Sequence, residues 1–283
     1  MTVLAPRGVD AALDALAGLA DAAVLAGGTD LMVEVNFGHR RPETFVSLRG
    51  VPELRGWSRD GNDDSIRIGA GVTYRDLEAG KIGELVPALA QAARTVGSPQ
   101  IRNAGTIGGN VATASPAGDM LPVLVALDAV IECASATGGV RDIPIRHFIV
   151  GPKRTVLAAD ELILAVRVPR LEGPQEFLKV GTRNAMVIAV ASVALLADDA
   201  NRTLCCGLGS VGPVPIRAGA AEAWAAPLIE WAARRAAPET AAEFGRRVAD
   251  AARPIDDHRA TAGYRRHAVE VCARRAFARL TAA

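Results

Sequence analysis

The chain holds 283 residues, with 32 Lys+Arg against 31 Asp+Glu for a net charge of +1, and half of its residues are hydrophobic. That composition supports packed cores over roughly two domains and excludes a disordered chain, while the balanced charge leaves no electrostatic footprint for nucleic acid or an anionic membrane surface. No apolar run approaches the roughly 18–20 residues of a membrane span, and the opening MTVLAPR lacks the charged and apolar regions of a secretory signal, so a cytoplasmic location is expected.

In chain order, residues 9–22 read as an Ala/Leu-rich helix with Asp10 and Asp14 near its positive end, and 23–25 as a short strand running into Gly27-Gly28. Residues 31–35 and 44–48 read as further strands, separated by the basic turn at 39–42. After a polar stretch at 59–64, residues 65–69 alternate as a half-buried strand should. Residues 85–96 form a helix with Leu85, Leu89, Ala92 and Ala93 on one face, 122–127 continue as an apolar segment, and 130–133 and 161–169 read as strands. Gly and Pro punctuate 171–175, the best linker. Strand-like runs at 177–180, 187–196 and 202–206 follow, then helices from about Ala220, an α+β order. The segment 232–283 holds eleven Arg against six Asp+Glu. Their spacing traces no single helical stripe, so a solvated helix face or a subunit contact is expected.

Cys133, Cys205, Cys206 and Cys272 form no CxxC, and neighbours such as Cys205 and Cys206 would point to opposite sides of a strand. An iron–sulfur cluster, which needs converging thiolates, is not expected in this chain. His39, His147, His258 and His267 show no metal-pair spacing, and no GxSxG marks a nucleophile elbow.

Three glycine clusters compete as a phosphate cradle. Gly207, Gly209 and Gly212 spell a literal GxGxxG. A dinucleotide loop must open a helix, however, and Pro213 and Pro215 follow at once, so this match is a decoy. Gly27-Gly28, followed by Thr29 and Asp30, permits positive φ and successive N–H groups converging on an anion. Gly108-Gly109, flanked by Thr106 and Asn110, repeats that chemistry. Either pair alone is an ordinary tight turn. Together, without a Walker lysine, they suit a diphosphate held between two lobes, and a side chain at Gly108 would be expected to block backbone approach to it.

AGGTDL at 26–31, IRNAGTIGGN at 101–110, SPAGD at 115–119 and ALDA at 126–129 resemble the FAD-binding subunit of the molybdenum hydroxylases, the group of xanthine dehydrogenase and aerobic carbon monoxide dehydrogenase. The likeness extends through Phe177, Lys179 and Arg183, through Gly209, Pro215, Arg217 and Glu222, and to Tyr264-Arg265 and Arg275-Ala276. It implies an α+β fold: a two-lobed FAD domain of the PCMH/vanillyl-alcohol-oxidase type over 1–170 (lobes about 1–55 and 56–170), and a smaller C-terminal α+β domain over 175–283.

The resemblance further implies that Val24, Leu25, Ala26, Gly27, Gly28, Thr29, Asp30 and Leu31, with Thr106, Ile107, Gly108, Gly109 and Asn110, wrap the FAD pyrophosphate and ribityl chain mainly through backbone N–H groups. Leu31 would pack on the isoalloxazine face, Asp119 would bond the sugar-like chain, and Val96 with Leu162 or Ile163 would line the adenine or diphosphate path. Lys179, one of three lysines, would lie toward the flavin ring, where a cation stabilises the reduced form, so that its loss would lower the reduction potential. No catalytic residue and no metal site are implied in this chain. The implied partners are a molybdopterin-binding large subunit and a [2Fe-2S] small subunit, assembled as a dimer of heterotrimers, with NAD or another acceptor taking the electrons. A stand-alone FAD-dependent oxidase is the alternative, and it would need a substrate cavity with its own acid and base.

Overall fold

The computed structural model describes residues 1–19, 21–60 and 64–282. Ala20 of the expected first helix, Gly61, Asn62 and Asp63 of the polar stretch, and Ala283 at the end of the C-terminal domain lie outside the described residues.

The first lobe is built from β1 (Thr2–Leu4), α1 (Val9–Ala17), β2 (Ala22–Leu25), α2 (Leu31–Asn36) and β3 (Thr44–Ser47), with the strands parallel in the order β1-β3-β2. α1 turns Ala12, Leu13 and Leu16 inward. The expected strand at 31–35 is instead α2. The carbonyls of Gly28 and Asp30 accept from the amides of Met32, Val33 and Glu34 and close the first turn. A run of four or five apolar residues does not distinguish strand from helix by period alone, and here the preceding glycine turn decides. No residue of α2 is buried.

The second lobe opens with the hairpin β4 (Trp57–Asp60) and β5 (Ser65–Gly69), continues through α3 (Tyr74–Ala79), α4 (Lys81–Leu85), α5 (Pro87–Arg94), α6 (Pro99–Ala104), α7 (Ile107–Thr113) and α8 (Met120–Ala126), and returns as β6 (Val130–Ser135), β7 (Gly139–Pro144), α9 (Ile145–Phe148), the small hairpin β8 (Ile149–Gly151) and β9 (Arg154–Thr155), and β10 (Leu162–Pro169). The antiparallel sheet runs β4-β5-β10-β6-β7. The helix expected from Leu85 is cut at Val86, because Pro87 lacks an N–H and pushes the residue before it out of the helical region (φ −133°, ψ 73°). Leu162 and Leu164 of β10 pack with Leu13, Leu16, Val46 and Val51, which joins the two lobes through one apolar seam.

The C-terminal part comprises β11 (Gln175–Gly181), β12 (Ala189–Asp198), β13 (Thr203–Gly209), β14 (Ile216–Arg217), then α10 (Gly219–Ala225), α11 (Pro238–Ala251) and α12 (Ala262–Leu280), with sheet order β11-β12-β13-β14. Alternation along the strands splits their side chains between two cores. Ala191, Val193, Leu195 and Ala197 of β12 meet the helices α10–α12, whereas Ala194 and Leu196, with Phe177 of β11, enter the core of the second lobe. α8, all seven residues of which are buried, lies against this sheet. The false GxGxxG has a packing reason here: a Cβ on Gly207 would sit 1.9 Å from the Pro122 carbonyl oxygen and one on Gly209 3.2 Å from the Pro122 ring, so these two glycines let α8 lie on β13, whereas a Cβ on Gly212 would meet Ile216. Cys206 is fully buried and Cys205 half-buried, on opposite faces of β13 as expected.

Of the C-terminal arginines, Arg265 is structural. It is 2% exposed, donates from Nη1 to the carbonyls of Val190 (2.6 Å) and Ser210 (2.9 Å), and pairs through Nη2 with Asp257 (2.6 Å). Arg265→Met leaves the Val190 and Ser210 carbonyls without this donor, while Asp257 keeps Arg259 and the Ala260 amide, and is expected to lower stability by about 1–3 kcal/mol, read as a fall in the urea midpoint.

Candidate functional site

The loop after β2 enters the crevice between the lobes. Gly27 has no room for a side chain, since a Cβ there would lie 1.9 Å from the Ala104 carbonyl oxygen and 3.0 Å from the Gly105 Cα. Gly28 adopts φ +71°, a left-handed conformation that glycine takes without strain. The two glycine-bearing segments foreseen in the sequence therefore touch backbone to backbone. Among the described residues, the amides of Gly27, Gly28, Thr29, Asp30 and Leu31 donate to no protein acceptor. Five successive unengaged N–H groups at a glycine turn form a concavity suited to an anion.

The second segment differs from the first. Ile107 N–H donates to the Val72 carbonyl (3.0 Å), Gly108 N–H to Ala70 (2.9 Å), Asn110 N–H to Thr106 O (3.0 Å) and Gly109 N–H to the Thr106 side chain (3.0 Å). Its amides are engaged inside the fold, and only Thr106 N–H is open in the run 105–110. Gly108 also has a different reason from the expected one. A Cβ would meet the Ala70 side chain at 2.5 Å and its carbonyl at 2.7 Å, so the glycine lets α7 close onto the end of β5. What this segment offers a ligand is side chains.

Two buried acceptors face the site without a donor, Asn110 Oδ1 and Asp119 Oδ1. Asp119 is 6% exposed; its other oxygen, Oδ2, accepts from Lys179 Nζ at 2.6 Å and from Thr95 Oγ1 at 3.3 Å. Burial raises the Asp119 carboxyl to about 6, against the opposing pull of the Lys179 ammonium. Tyr74, 5% exposed, shares a hydrogen bond with Asn110, and burial drives its phenol well above the usual range. Its ring lies against Gly105, where a Cβ would come within 2.6 Å of Cε2.

Lys179 reaches this place by register. Alternate residues of β11 run along α5: Ala88 N–H donates to the Gln175 side chain (3.1 Å), Phe177 N–H to the Gln91 side chain (2.6 Å), and Lys179 Nζ to the Thr95 carbonyl (3.1 Å). Two residues of strand and about one turn of helix advance by nearly the same distance, so the match holds over all three pairs.

Of the other residues expected at the site, Val24 is 37% exposed on β2, while Leu25, Ala26 and Leu31 are half-buried around the loop. Val96 is half-buried beside Gly97 and its carbonyl accepts from Arg102 (3.2 Å). Leu162 and Ile163 are not brought to the crevice surface. They are 2% and 6% exposed on β10, in the interlobe seam and the second-lobe core, because opposite faces of this strand are both covered. Sequence reasoning missed Tyr74 and Thr95. A buried tyrosine needs a partner for its hydroxyl, which was the available signal for Tyr74.

The four thiols stand on β6, β13 and α12, and burial pushes Cys133 up to about 12 and Cys205 to about 11, away from the thiolate form that a metal requires. No group of His, Cys, Asp and Glu among the described residues could hold a metal, and no described helix is long and apolar enough to cross a membrane.

Residues 1–171 match the family described as the FAD binding domain in molybdopterin dehydrogenase, and residues 176–280 that described as the CO dehydrogenase flavoprotein C-terminal domain. The chain is 35% identical over 210 residues to the nicotinate dehydrogenase FAD-subunit of Eubacterium barkeri, covering 71% of this chain and 70% of that one. It is 32% identical over 257 residues to the glyceraldehyde dehydrogenase medium chain of Sulfolobus acidocaldarius, covering 89% and 88%. Among solved structures, a chain of carbon monoxide dehydrogenase from Hydrogenophaga pseudoflava superposes with a TM-score of 0.87 at 27% identity, covering 100% of this chain and 97% of that one. With both parts of the chain matched, it belongs to the FAD-binding medium subunits of the molybdenum hydroxylases, the flavoprotein components of these oxidoreductases.

Proposed function

We propose that this chain is the electron-transferring flavoprotein subunit of a heteromeric molybdenum hydroxylase in the cytoplasm. The observation that carries this reading is the pairing of unengaged amides at Gly27–Leu31 with two donorless buried acceptors, Asn110 Oδ1 and Asp119 Oδ1. FAD has the complementary groups, a diphosphate that takes N–H donors and a ribityl chain whose hydroxyls donate, so the residues present fit it. The Gly27–Leu31 amides hold the diphosphate, Asn110 and Asp119 orient the ribityl hydroxyls, and Leu31 presents an apolar surface to the ring. Bound FAD supplies the two-electron to one-electron relay that no side chain here provides.

In this reading the chain itself oxidises no substrate. Electrons come from [2Fe-2S] clusters in a small subunit, reduced in turn by a molybdopterin-bearing large subunit, and leave to NAD or another acceptor, within a dimer of heterotrimers. The test is affinity purification of the tagged chain from its native host, with an absorption spectrum and metal analysis. Flavin absorbance with iron, molybdenum and two further chains is expected. A lone yellow protein without metal overturns the assembly and favours a self-contained oxidase.

A further inference from the structure

The contact between Lys179 and Asp119 joins the two domains beside the candidate site. Both side chains are 7% exposed, their atoms lie 2.6 Å apart, and the ammonium makes a second bond to the Thr95 carbonyl. An ion pair this deeply buried holds its geometry only when the remaining lone pairs are satisfied. Here one is not: Asp119 Oδ2 takes the lysine and Thr95, and Oδ1 has no donor.

We propose that Lys179 is a positioning residue: delivered by β11 of the C-terminal domain, it fixes the Asp119 carboxylate with one oxygen held by the ammonium and the other turned as an acceptor toward a ribityl hydroxyl. The inference rests on the FAD reading above. It differs from a lysine placed at the flavin ring in that two of the three Nζ–H groups already serve Asp119 and Thr95. It also makes the site contingent on domain docking, since the α5–β11 bonds through Gln91 and Gln175 set the register that brings Lys179 to Thr95.

The charged and titratable groups near Asp119 are Lys179 from β11, which acts on it directly, and Tyr74 from α3, whose phenol feels both Asp119 and Asp30 of the first loop. Hydroxyl donors favour the ionised carboxylate, so FAD affinity rises with pH up to the carboxyl's own midpoint of about 6 and then levels off. Removing the ammonium removes a group that favours ionisation, so that midpoint moves upward.

The experiment measures FAD affinity of the full chain by flavin fluorescence between pH 5 and 9, with the reduction potential of the bound flavin, for wild type, Lys179→Met and Lys179→Arg. Lys179→Met is expected to move the midpoint up by about one unit, which weakens binding about tenfold at pH 5 but only about twofold at pH 7, with the potential unchanged. Lys179→Arg, which keeps the charge, is expected to restore the wild-type profile. Where Lys179→Met fails to fold, Asp119→Asn/Lys179→Met, which buries no lone charge, is compared with Asp119→Asn, and equal affinities support the proposal. An unmoved midpoint with a lowered potential overturns it and places the ammonium at the ring. Absence of FAD binding by folded wild type overturns the underlying FAD reading instead.

Discussion

Gly27→Val is expected to lower FAD affinity by on the order of 100-fold, about 2.7 kcal/mol, while leaving most of the fold's stability in place. The Cβ would stand 1.9 Å from the Ala104 carbonyl oxygen and 2.5 Å from its carbon, and neither is the yielding end of a flexible side chain. The strain is relieved by moving the first loop away from the Ala104–Gly105 turn, which opens the crevice. Behind the loop, α1 and β3 keep their own contacts through Leu13, Leu16 and Val46, so the first lobe stays folded. Flavin fluorescence titration reads the affinity and thermal melting the stability. A wild-type affinity in a folded Gly27→Val variant contradicts the placement of the loop at the cofactor.

Gly207→Val acts in the opposite balance, with a large loss of stability and a secondary loss of FAD. A Cβ 1.9 Å from the Pro122 carbonyl pushes β13 off α8, a packed contact with no void to absorb it. Overpacking of this kind costs about 3 kcal/mol, read as a lower urea midpoint at unchanged slope. Because α8 begins immediately after Asp119, its displacement also moves the carboxylate. Gly219→Ala, where nothing lies within 4 Å of the added methyl, is the control and is expected to be neutral. A Gly207→Val variant as stable as the control contradicts the packing account of the glycine motif.

Much of the sheet framework is legible in the sequence: residues 65–69 announce β5 by their alternation, and the nearly continuous apolar run ending at Pro169 announces β10, a strand covered on both faces. The Gly and Pro at 171–175 likewise mark the passage between the two sheets. The segment 31–35 forms α2 rather than the expected strand: its four apolar residues carry no period long enough to show, and the deciding signal is the turn before it. α8 went unrecognised as a helix for another reason. It is buried on every side, so its hydrophobicity has no moment and its pattern is silent. At the site, the glycine pairs were visible, and so was the unsuitability of Gly207–Gly212 as a dinucleotide loop. The reason for Gly207, however, lies at Pro122, some eighty-five residues away in the chain. The pairing of Lys179 with Asp119 depends in the same way on a register between α5 and β11 that no local pattern encodes. The resemblance pointed to backbone donors from both glycine segments, whereas hydrogen bonds to Ala70, Val72 and Thr106 engage those of the second, leaving acceptor side chains there.

The central claim, that this chain's own crevice holds FAD, is tested most directly by titrating the purified full chain, stripped of flavin, with FAD at pH 8 and following quenching of flavin fluorescence, alongside Asp119→Asn. The account predicts saturable binding at one FAD per chain, weakened at least about tenfold in Asp119→Asn, since each lost charge-assisted bond is worth roughly 1.5–3 kcal/mol. A folded wild-type chain that leaves FAD fluorescence unchanged, or an Asp119→Asn variant that binds as tightly as wild type, contradicts it.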